Sequence, residues 1–409
     1  MNVLDIIDKK RLGKELSYKE LDYVFNGYLN GEVADYQMSS LLMAICINGM
    51  DDEETFALTK IFVDSGDVLD FSDIPGIKVD KHSTGGIGDK TSLVIVPVVA
   101  SLGIPVIKMS GRGLGYTGGT IDKLESIPGY RIDLTDDEIK NQVHKIGAVV
   151  TGQTADLVPM DKVIYALRDV TSTVSSIPLI ASSIMSKKIA SGADKILIDI
   201  KVGNGALLPN REMAKELSDI MKRIGKVYNR EVRTIISDMN TPLGTSIGNA
   251  LEVLEAIDVL KNKETDNNFV DLCYDLATDM VSMALGITKK DAFNMVYETI
   301  STGKAYDKFV EIVSSQGGDV KGITVAKKKV DIISPETGVL SKVSAIGCGE
   351  LALKLGAGKV SIKDKIDYGV GVKLHKLQGE HVCKGDVLAT LYVGEKEPIY
   401  EFDDIFKIK

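Results

Sequence analysis

The first 66 residues show the spacing of apolar side chains that is typical of amphipathic helices. Leu21, Val24, Phe25 and Tyr28 recur at i, i+3, i+4 and i+7, which places them on one face of a helix. The same spacing returns in the segments that follow, up to residue 66. We therefore predict a helical region over 1–66 whose apolar stripes form a core, and we assign these stripes no chemistry.

Short apolar runs and glycine-rich stretches alternate from about residue 73. The runs at 76–80 and 105–109 predict strands, and the stretch 89–100 between them predicts a helix, although Pro97 removes one helical hydrogen bond. A strand–helix–strand unit of this kind belongs to a parallel sheet. The loops after its two strands leave the same edge of the sheet, where ligands bind in such folds.

The remaining pattern predicts a returning helical segment, a second α/β stretch and an end rich in β-strands, where apolar and polar positions alternate around Gly-Asp turns. The predicted fold class is α/β, with a mixed, mainly parallel sheet in the larger domain. We predict a small all-helical domain, a larger α/β domain and a small C-terminal α+β subdomain that is barrel-sandwich-like. Their residues are 1–66 with 161–192, 73–160 with 193–330, and 331–409.

Composition narrows the functional classes. Of the 409 residues, 44% are hydrophobic and 26% charged, as in an ordinary globular protein. The net charge of −9 argues against a nucleic-acid binder, so any anion site must be local. The four cysteines stand far apart without a CxxC motif, and the charged N-terminus does not resemble a signal peptide. No apolar run reaches membrane-spanning length, and we expect a cytoplasmic protein.

Two glycine-rich loops carry the candidate chemistry. They are KHSTGGIGDK at 81–90 and KMSGRG at 108–113, which continues to the glycines and threonine of 118–120. Glycine lets backbone N–H groups approach an anion closely, and lysine and hydroxyl side chains surround both loops. Neither loop matches the Walker or the dinucleotide pattern. The pattern therefore favours a phosphate site, and the plain alternative is a pair of tight turns in an α/β domain.

Four motifs resemble the thymidine and pyrimidine-nucleoside phosphorylases, and the resemblance covers nearly the whole chain. They are KHSTGGIGDK, SGRGLGYTGGTIDKLE at 110–125, YALRDVTSTVSSIPLIASSIMSKKIASG at 165–192 and DIKVGNGA at 199–206. Two positions depart from the family pattern. Tyr116 stands where histidine is expected, and Lys90 stands where related enzymes more often carry a small hydroxyl residue.

The resemblance implies reversible phosphorolysis, in which inorganic phosphate attacks C1′ of a pyrimidine nucleoside and releases the base and a pentose-1-phosphate. It implies three sets of residues. Phosphate would be bound by Lys81, His82, Ser83, Ser92, Lys108, Met109, Ser110 and Thr120. The nucleoside would be bound by Tyr165, Arg168, Ser183 and Lys187. Catalysis would fall to His82, Arg168 and Lys187, which meet the negative charge on the departing base. We expect alanine at Arg168 or Lys187 to remove activity and leave the fold intact.

The resemblance also implies a structural monovalent cation, K⁺, and no organic cofactor. By position the cation would be held by Gly88, Lys90, Leu243, Ser246 and Glu255, mostly through backbone carbonyls. Related enzymes are homodimers built through the N-terminal helices, and we expect the same here. In this family the broad enzymes resemble this sequence in having lysine at position 108, whereas the thymidine-restricted branch more often has an apolar residue there. We therefore expect uridine, thymidine and 2′-deoxyuridine as substrates in nucleoside salvage.

Three alternatives stay open at this point. One is a thymidine-restricted phosphorylase. Another is an enzyme similar to anthranilate phosphoribosyltransferase, which shares the architecture and would require Mg²⁺ and phosphoribosyl pyrophosphate. The third is a protein that binds phosphate or a nucleoside without turning it over.

Overall fold

The fold is taken from a computed structural model of the chain. It describes residues 1–113, 115–116, 118–154, 156–263, 267–359, 364–396 and 399–409. Leu114 and Thr117, which belong to the motif at 110–125, lie outside the described residues.

Helices make up most of the regular structure in the described ranges. The helices are α1 (Val3–Arg11), α2 (Tyr18–Leu29), α3 (Asp35–Asn48), α4 (Asp52–Asp64), α5 (Thr91–Ser101), α6 (Thr120–Glu125), α7 (Asp136–Ile146), α8 (Pro159–Val170), α9 (Ile177–Ala190), α10 (Arg211–Val227), α11 (Asn249–Leu260), α12 (Asn268–Leu285), α13 (Lys289–Ser301), α14 (Lys304–Ser315), α15 (Ala345–Leu355) and α16 (Phe402–Ile405). The strands are β1 (Val79–Ser83), β2 (Val106–Ser110), β3 (Ala148–Gly152), β4 (Lys195–Val202), β5 (Glu231–Asp238), β6 (Ser246–Ile247), β7 (Lys328–Ile333), β8 (Gly338–Val343), β9 (Gly371–Leu374), β10 (His381–Val382), β11 (Val387–Val393) and β12 (Phe406–Ile408). Within these ranges, no helix combines the length and the apolar character that crossing a membrane requires.

One compact unit is helical and comprises Met1–Pro75, Thr154–Ile196 and Asn210–Thr234. Its apolar residues occupy one face of each amphipathic helix, as the spacing predicts, and a buried ion pair between Lys10 and Glu54 ties α1 to α4. The unit extends beyond the predicted ranges because α10 packs against α4 and α9.

The second unit comprises Gly76–Gln153, Leu197–Pro209 and Ile235–Lys409. It contains most of a sheet with the strand order β3-β2-β1-β4-β5. Strands β1, β2 and β3 are parallel, with Val79 opposite Val106 and Val106 opposite Ala148. Helix α5 carries Pro97 within its span and is buried along almost its whole length, so the apolar packing compensates for the lost hydrogen bond. The predicted α/β fold class is therefore confirmed.

The C-terminal part of this unit is rich in strands, as predicted, and the structure shows that they pair in antiparallel fashion. Strand β8 pairs with β10 and β12, while β11 pairs with β7 and β9. Strand β6 also pairs with β9, with Ser246 opposite Lys373. The short segment that follows the α/β sheet in sequence is therefore built into the C-terminal sheet.

Candidate functional site

The two glycine loops follow neighbouring parallel strands of the α/β sheet. Because Val79 lies opposite Val106, β1 and β2 run in step, and they end at Ser83 and Ser110. Side chains two residues apart on a strand share a face, so the lysines at positions 81 and 108 share a face with these serines. The strand order changes direction between β1 and β4, and ligands of open α/β sheets bind at such a point.

A buried group of four charged side chains underlies the first loop. Lys81 lies 3.6 Å from Asp199 and 4.0 Å from Asp89, and Lys201 lies 2.7 Å from Asp199 and 4.0 Å from Asp89. Burial alone would raise the pKa of Asp89, but the charges of Lys81 and Lys201 hold it well below its usual range. Burial opposes the charged form of Lys201, yet Asp199 and Asp89 outweigh it and raise its pKa. The group carries equal positive and negative charge, so it fixes the loop without a net local charge.

Asp89 positions the hydroxyl groups of the first loop. It accepts hydrogen bonds from the side chains of Ser83 and Thr91, and Lys81 Nζ donates to Thr91 Oγ1 at 2.6 Å. Thr91 opens α5, and Ser92 is its second residue, so both lie where the N-terminus of the helix attracts anions. His82 lies between Lys81 and Ser83 on β1 and is half-buried.

The second loop is closed by Asp122, which accepts hydrogen bonds from the backbone N–H groups of Gly113 and Gly119. A Cβ atom at Gly119 would come within 2.1 Å of Gly113 N, so this close approach requires glycine. Lys108, Met109 and Ser110 are buried at the end of β2, and Thr120 opens α6. Tyr116, the departure from the family pattern, is half-buried and packs against the apolar core of its unit.

Ser110 provides the clearest sign of a ligand. Its Oγ is buried and has no hydrogen-bond partner within the part of the chain that the structure describes. Buried hydroxyl groups are usually hydrogen-bonded, so an unpartnered one at the end of β2 fits an anion to which the hydroxyl donates a hydrogen bond.

The residues predicted to bind the nucleoside are brought together in the helical unit. Asp161, Tyr165 and Arg168 recur at i, i+4 and i+7 on α8, and Ser183 and Lys187 stand four residues apart on α9. Lys187 Nζ donates to Ser183 Oγ at 2.8 Å and forms an ion pair with Asp161. Arg168 and Lys187 also face the ring of Tyr165, at 5.6 Å and 5.9 Å from its centroid.

Both cations of this cluster are affected by burial. Burial lowers the pKa of Lys187, and the opposite charge of Asp161 limits this shift. Burial also lowers the pKa of Arg168. A lysine that is desolvated but still paired can meet negative charge on a leaving group more strongly than a solvated one, because the local dielectric constant is low.

Arg168 is held in place by backbone carbonyl groups. Its Nε, Nη1 and Nη2 atoms donate to the carbonyl oxygens of Thr173, Leu179 and Val174 at 3.2, 3.2 and 2.8 Å. Its exposed fraction is 1%. A guanidinium has five N–H groups, and the two that remain have no acceptor among the described residues. Arg168 therefore also supports the α8–α9 connection, which changes the expectation that its removal leaves the fold intact.

The residues predicted to hold a potassium ion form a different structure. Lys90 Nζ donates to the carbonyl oxygens of Leu243 at 2.7 Å and Ser246 at 3.0 Å, and lies 2.6 Å from Glu255 Oε2. Burial would raise the pKa of Glu255, but the charge of Lys90 overrides it and brings this pKa to about 2. These three oxygens are the ligands that the ion would need. The residues do not fit a bound potassium ion, because the Lys90 ammonium already lies among these oxygens at hydrogen-bonding distance.

Sequence reasoning missed the carboxylates that position these side chains. Asp89, Asp122, Asp161 and Asp199 hold the lysines, hydroxyls and loop N–H groups described above, and Lys201 completes the buried group. Asp199 and Lys201 lie in the DIKVGNGA motif, which carried the family resemblance without an assigned role. Their alternation on β4 beside a predicted phosphate loop was the available signal.

Three family models match the chain in order. The helical bundle domain of a glycosyl transferase family matches residues 4–66, and the α/β domain of that family matches residues 76–306. The C-terminal domain of pyrimidine nucleoside phosphorylases matches residues 339–405. The α/β match alone covers more than half of the chain and includes both glycine loops.

A solved structure shares the architecture at low sequence identity. Anthranilate phosphoribosyltransferase from Thermus thermophilus aligns with a TM-score of 0.61 at 18% identity, over 76% of this chain and 99% of that one. At this identity the likeness shows the fold alone.

Full-length relatives are much more similar in sequence. The pyrimidine-nucleoside phosphorylase of Staphylococcus epidermidis is 48% identical, over 100% of this chain and 96% of its own length. Those of Geobacillus stearothermophilus and Bacillus subtilis are also 48% identical, over 97% of this chain and 93% of theirs. Together with the three domain matches, this identity shows that the chain belongs to the pyrimidine-nucleoside phosphorylase family of glycosyl transferases.

Proposed function

We propose that this protein is a pentosyltransferase that catalyses the reversible phosphorolysis of pyrimidine nucleosides. The observation that carries the proposal is the pair of glycine-rich loops that follow the neighbouring parallel strands β1 and β2. At the end of β2, Ser110 Oγ is buried without a hydrogen-bond partner among the described residues. The names of the full-length relatives support the same reaction. We include uridine, thymidine and 2′-deoxyuridine as substrates and nucleoside salvage as the role.

The bond changes require one set of residues to bind phosphate and another to stabilise the departing base. A phosphate oxygen forms a bond to C1′ while the bond between C1′ and the base nitrogen breaks, and the electron pair of that bond passes to the base. The hydroxyls and lysines at the ends of β1 and β2 bind the phosphate dianion, with loop N–H groups as further donors. A proton then neutralises the departing base, and His82, which lies in the same loop, is the proposed donor or hydrogen-bond partner.

The residues predicted to bind the nucleoside are proposed to act on the base. Lys187 and the remaining N–H groups of Arg168 meet the charge that develops on the ring oxygens, and Ser183 hydrogen-bonds the edge of the ring. Asp161 keeps Lys187 oriented. Donors that are already fixed need no reorganisation when the charge develops, and this preorganisation is the main source of the rate enhancement we assign to them.

The deciding experiment is incubation of the purified protein with uridine or thymidine, with and without inorganic phosphate. We expect free uracil or thymine and an equal amount of pentose-1-phosphate, and no release in phosphate-free buffer. Equal release without phosphate would indicate a hydrolase, and binding without release would indicate a non-catalytic protein. Activity that required Mg²⁺ and phosphoribosyl pyrophosphate would favour the phosphoribosyltransferase alternative.

Two further parts of the proposal concern the state of the protein. We propose a homodimer formed through the N-terminal helices, because Leu4, Leu12, Tyr36 and Ile47 present apolar surface with exposed fractions of 58%, 62%, 75% and 75%. Sedimentation showing only monomer at micromolar concentration would count against it. We also propose a cytoplasmic location, since all four cysteines are free.

A further inference from the structure

The ammonium group of Lys90 has a complete set of oxygen partners. An ammonium has three N–H donors, and three acceptors surround this one: two backbone carbonyls and one carboxylate. The carbonyls belong to Leu243 and Ser246, and the carboxylate belongs to Glu255. A monovalent cation held by carbonyl oxygens and one carboxylate would have the same charge and the same kind of ligands.

The surroundings of the ammonium are closed to solvent. The side chains of Lys90 and Glu255 have exposed fractions of 0% and 2%. The ring of Phe269 covers the ammonium, with its centroid 4.7 Å from Nζ. Gly244 has a φ of +73°, and a Cβ atom there would come within 2.9 Å of Nζ and 2.7 Å of Glu255 Oε1. The chain therefore wraps closely around the ammonium, which occupies the position that an ion would take.

The two remaining predicted ligands of the ion are engaged in backbone hydrogen bonds. The carbonyl oxygen of Gly88 accepts from Lys90 N at 3.0 Å, and the carbonyl oxygen of Lys90 accepts from Leu93 N at 2.9 Å as α5 begins. These bonds hold the turn in the conformation that directs the Lys90 side chain towards Leu243. Each predicted ligand oxygen thus accepts a hydrogen bond either from the Lys90 ammonium or from a backbone N–H of the turn that contains Lys90.

The ammonium links parts of the unit that are far apart in sequence. Lys90 follows Asp89, which positions Ser83 and Thr91, and it is the N-cap residue of α5. Its acceptors lie at the start of the segment that forms β6, more than 150 residues away. Strand β6 pairs with β9 of the C-terminal sheet. The Lys90 contact therefore fixes the first glycine loop to the C-terminal sheet, as a bound ion in that position would.

We propose that the Lys90 ammonium is a built-in monovalent cation that takes the place of potassium and makes this protein independent of potassium. The small hydroxyl residue that related enzymes carry at this position would leave the oxygens to an ion. The inference concerns how the loop is anchored and does not depend on the reaction proposed above, because its first readout is thermal unfolding.

The first test uses the unmodified protein. It is dialysed free of potassium and its thermal unfolding is followed by circular dichroism in potassium, sodium and tetramethylammonium chloride at equal ionic strength. A ligand that binds only the folded state raises Tm with its concentration. We expect Tm values within about 1 °C of one another in the three salts. A Tm that rises with potassium and not with the other cations would overturn the inference, as would phosphorolysis that is lost on removal of potassium and restored by its return.

The second test asks whether the oxygens can hold an ion once the ammonium is gone. Lys90→Thr opens the site and provides a hydroxyl, and Lys90→Met removes the charge but keeps most of the volume. We expect both variants to unfold at lower temperature in sodium, and potassium to raise the Tm of Lys90→Thr only. The expected recovery is several degrees at potassium concentrations well above Kd. If Lys90→Thr folds and ignores potassium, or if Lys90→Met responds to it, the assignment of these oxygens is wrong.

A matched control is available in the same unit. Lys123 on α6 is another buried lysine, which donates to the carbonyl oxygen of Gly118 at 2.7 Å and lies 3.4 Å from Glu252 on α11. Lys123→Thr should also lower Tm, but one carbonyl and one carboxylate are too few ligands for a cation site, so potassium should not restore it. If potassium also raised the Tm of Lys123→Thr, its effect would not be specific to the Lys90 site. The response of Lys90→Thr would then no longer support the inference. If Lys90→Thr does not fold, the salt series on the unmodified protein still decides the question.

Discussion

Replacing Arg168 by alanine tests whether this arginine supports the fold as well as the reaction. Arg168→Ala removes donors from the carbonyl oxygens of Thr173, Val174 and Leu179. Each acceptor left buried without a donor costs about 1–3 kcal/mol, so three give about 3–9 kcal/mol. Water that enters the vacated space, and the recovered hydration cost of the guanidinium, reduce this sum. We therefore expect a loss of about 3–5 kcal/mol, in the lower half of that range.

That loss is large beside the free energy of unfolding of typical proteins, about 5–15 kcal/mol. Urea unfolding followed by far-ultraviolet circular dichroism measures it directly. With an m-value of about 3 kcal/mol per molar urea, the first transition should move down by about 1 M or more. Activity measured well below the transition should still be lower by roughly 10²–10³-fold, because a preorganised donor is missing.

A surface arginine of the same helical unit provides the control. Arg223 pairs with Asp52, and both side chains are 46% exposed. Arg223→Ala should cost less than about 1 kcal/mol, as exposed ion pairs do. The reasoning fails if Arg168→Ala unfolds within about 0.2 M urea of the unmodified protein. If the urea midpoint of Arg168→Ala is unchanged but its activity is lost, Arg168 has a ligand-binding role and does not stabilise the fold.

Three further changes test the site. Asp161→Asn removes the negative charge that raises the pKa of Lys187 against the effect of burial, so this pKa should fall. The basic limb of the pH profile of kcat/KM should therefore move to lower pH, and an unchanged profile would contradict the pairing. Asp89→Asn should lower stability at pH 7. Because the folded pKa of Asp89 lies below its unfolded value of about 3.9, the difference in urea midpoint from the unmodified protein should persist down to about pH 4 and shrink below it. Lys108→Met should weaken phosphate binding and shift the ratio of kcat/KM values towards 2′-deoxynucleosides by up to about 100-fold, because an unpaired 2′-hydroxyl costs about 1–3 kcal/mol. Equal losses of kcat/KM on uridine and thymidine would mean that Lys108 contacts phosphate only.

The α/β architecture could be predicted from sequence because it depends on local patterns. The segment predicted as a strand at 105–109 is β2, shifted by one residue, and the helix predicted at 89–100 is α5, which spans Thr91–Ser101. Parallel strands joined by a helix place both loops at one edge whatever the packing around them, so the neighbouring positions of the glycine loops also followed.

The partners of the charged side chains could not be predicted, because they come from distant parts of the chain. Lys81 meets Asp199, and Lys90 meets Leu243 and Glu255, across separations of more than 100 residues. Spacing says nothing about such pairs. The position of a lysine in a loop favours a ligand role, and only the fold shows that Lys90 is directed into the protein interior.

The pairing of the buried lysines with carboxylates affects how tightly the proposed site would bind phosphate in phosphorolysis and pentose-1-phosphate in the reverse reaction. Lys81 and Lys201 are matched by Asp89 and Asp199, so this buried group adds no net attraction for a dianion. In the proposed site, Lys81 would then act as a hydrogen-bond donor beside the hydroxyls, the backbone N–H groups, the N-terminus of α5 and the lysine at position 108. Inorganic phosphate and pentose-1-phosphate would be bound by the same donors in the two directions. A site with a large excess of positive charge would hold both anions tightly and slow their release. In the proposed reaction, buried carboxylates next to the lysines would favour turnover over affinity, because they would orient donors for the transition state without strengthening the binding of every anion equally.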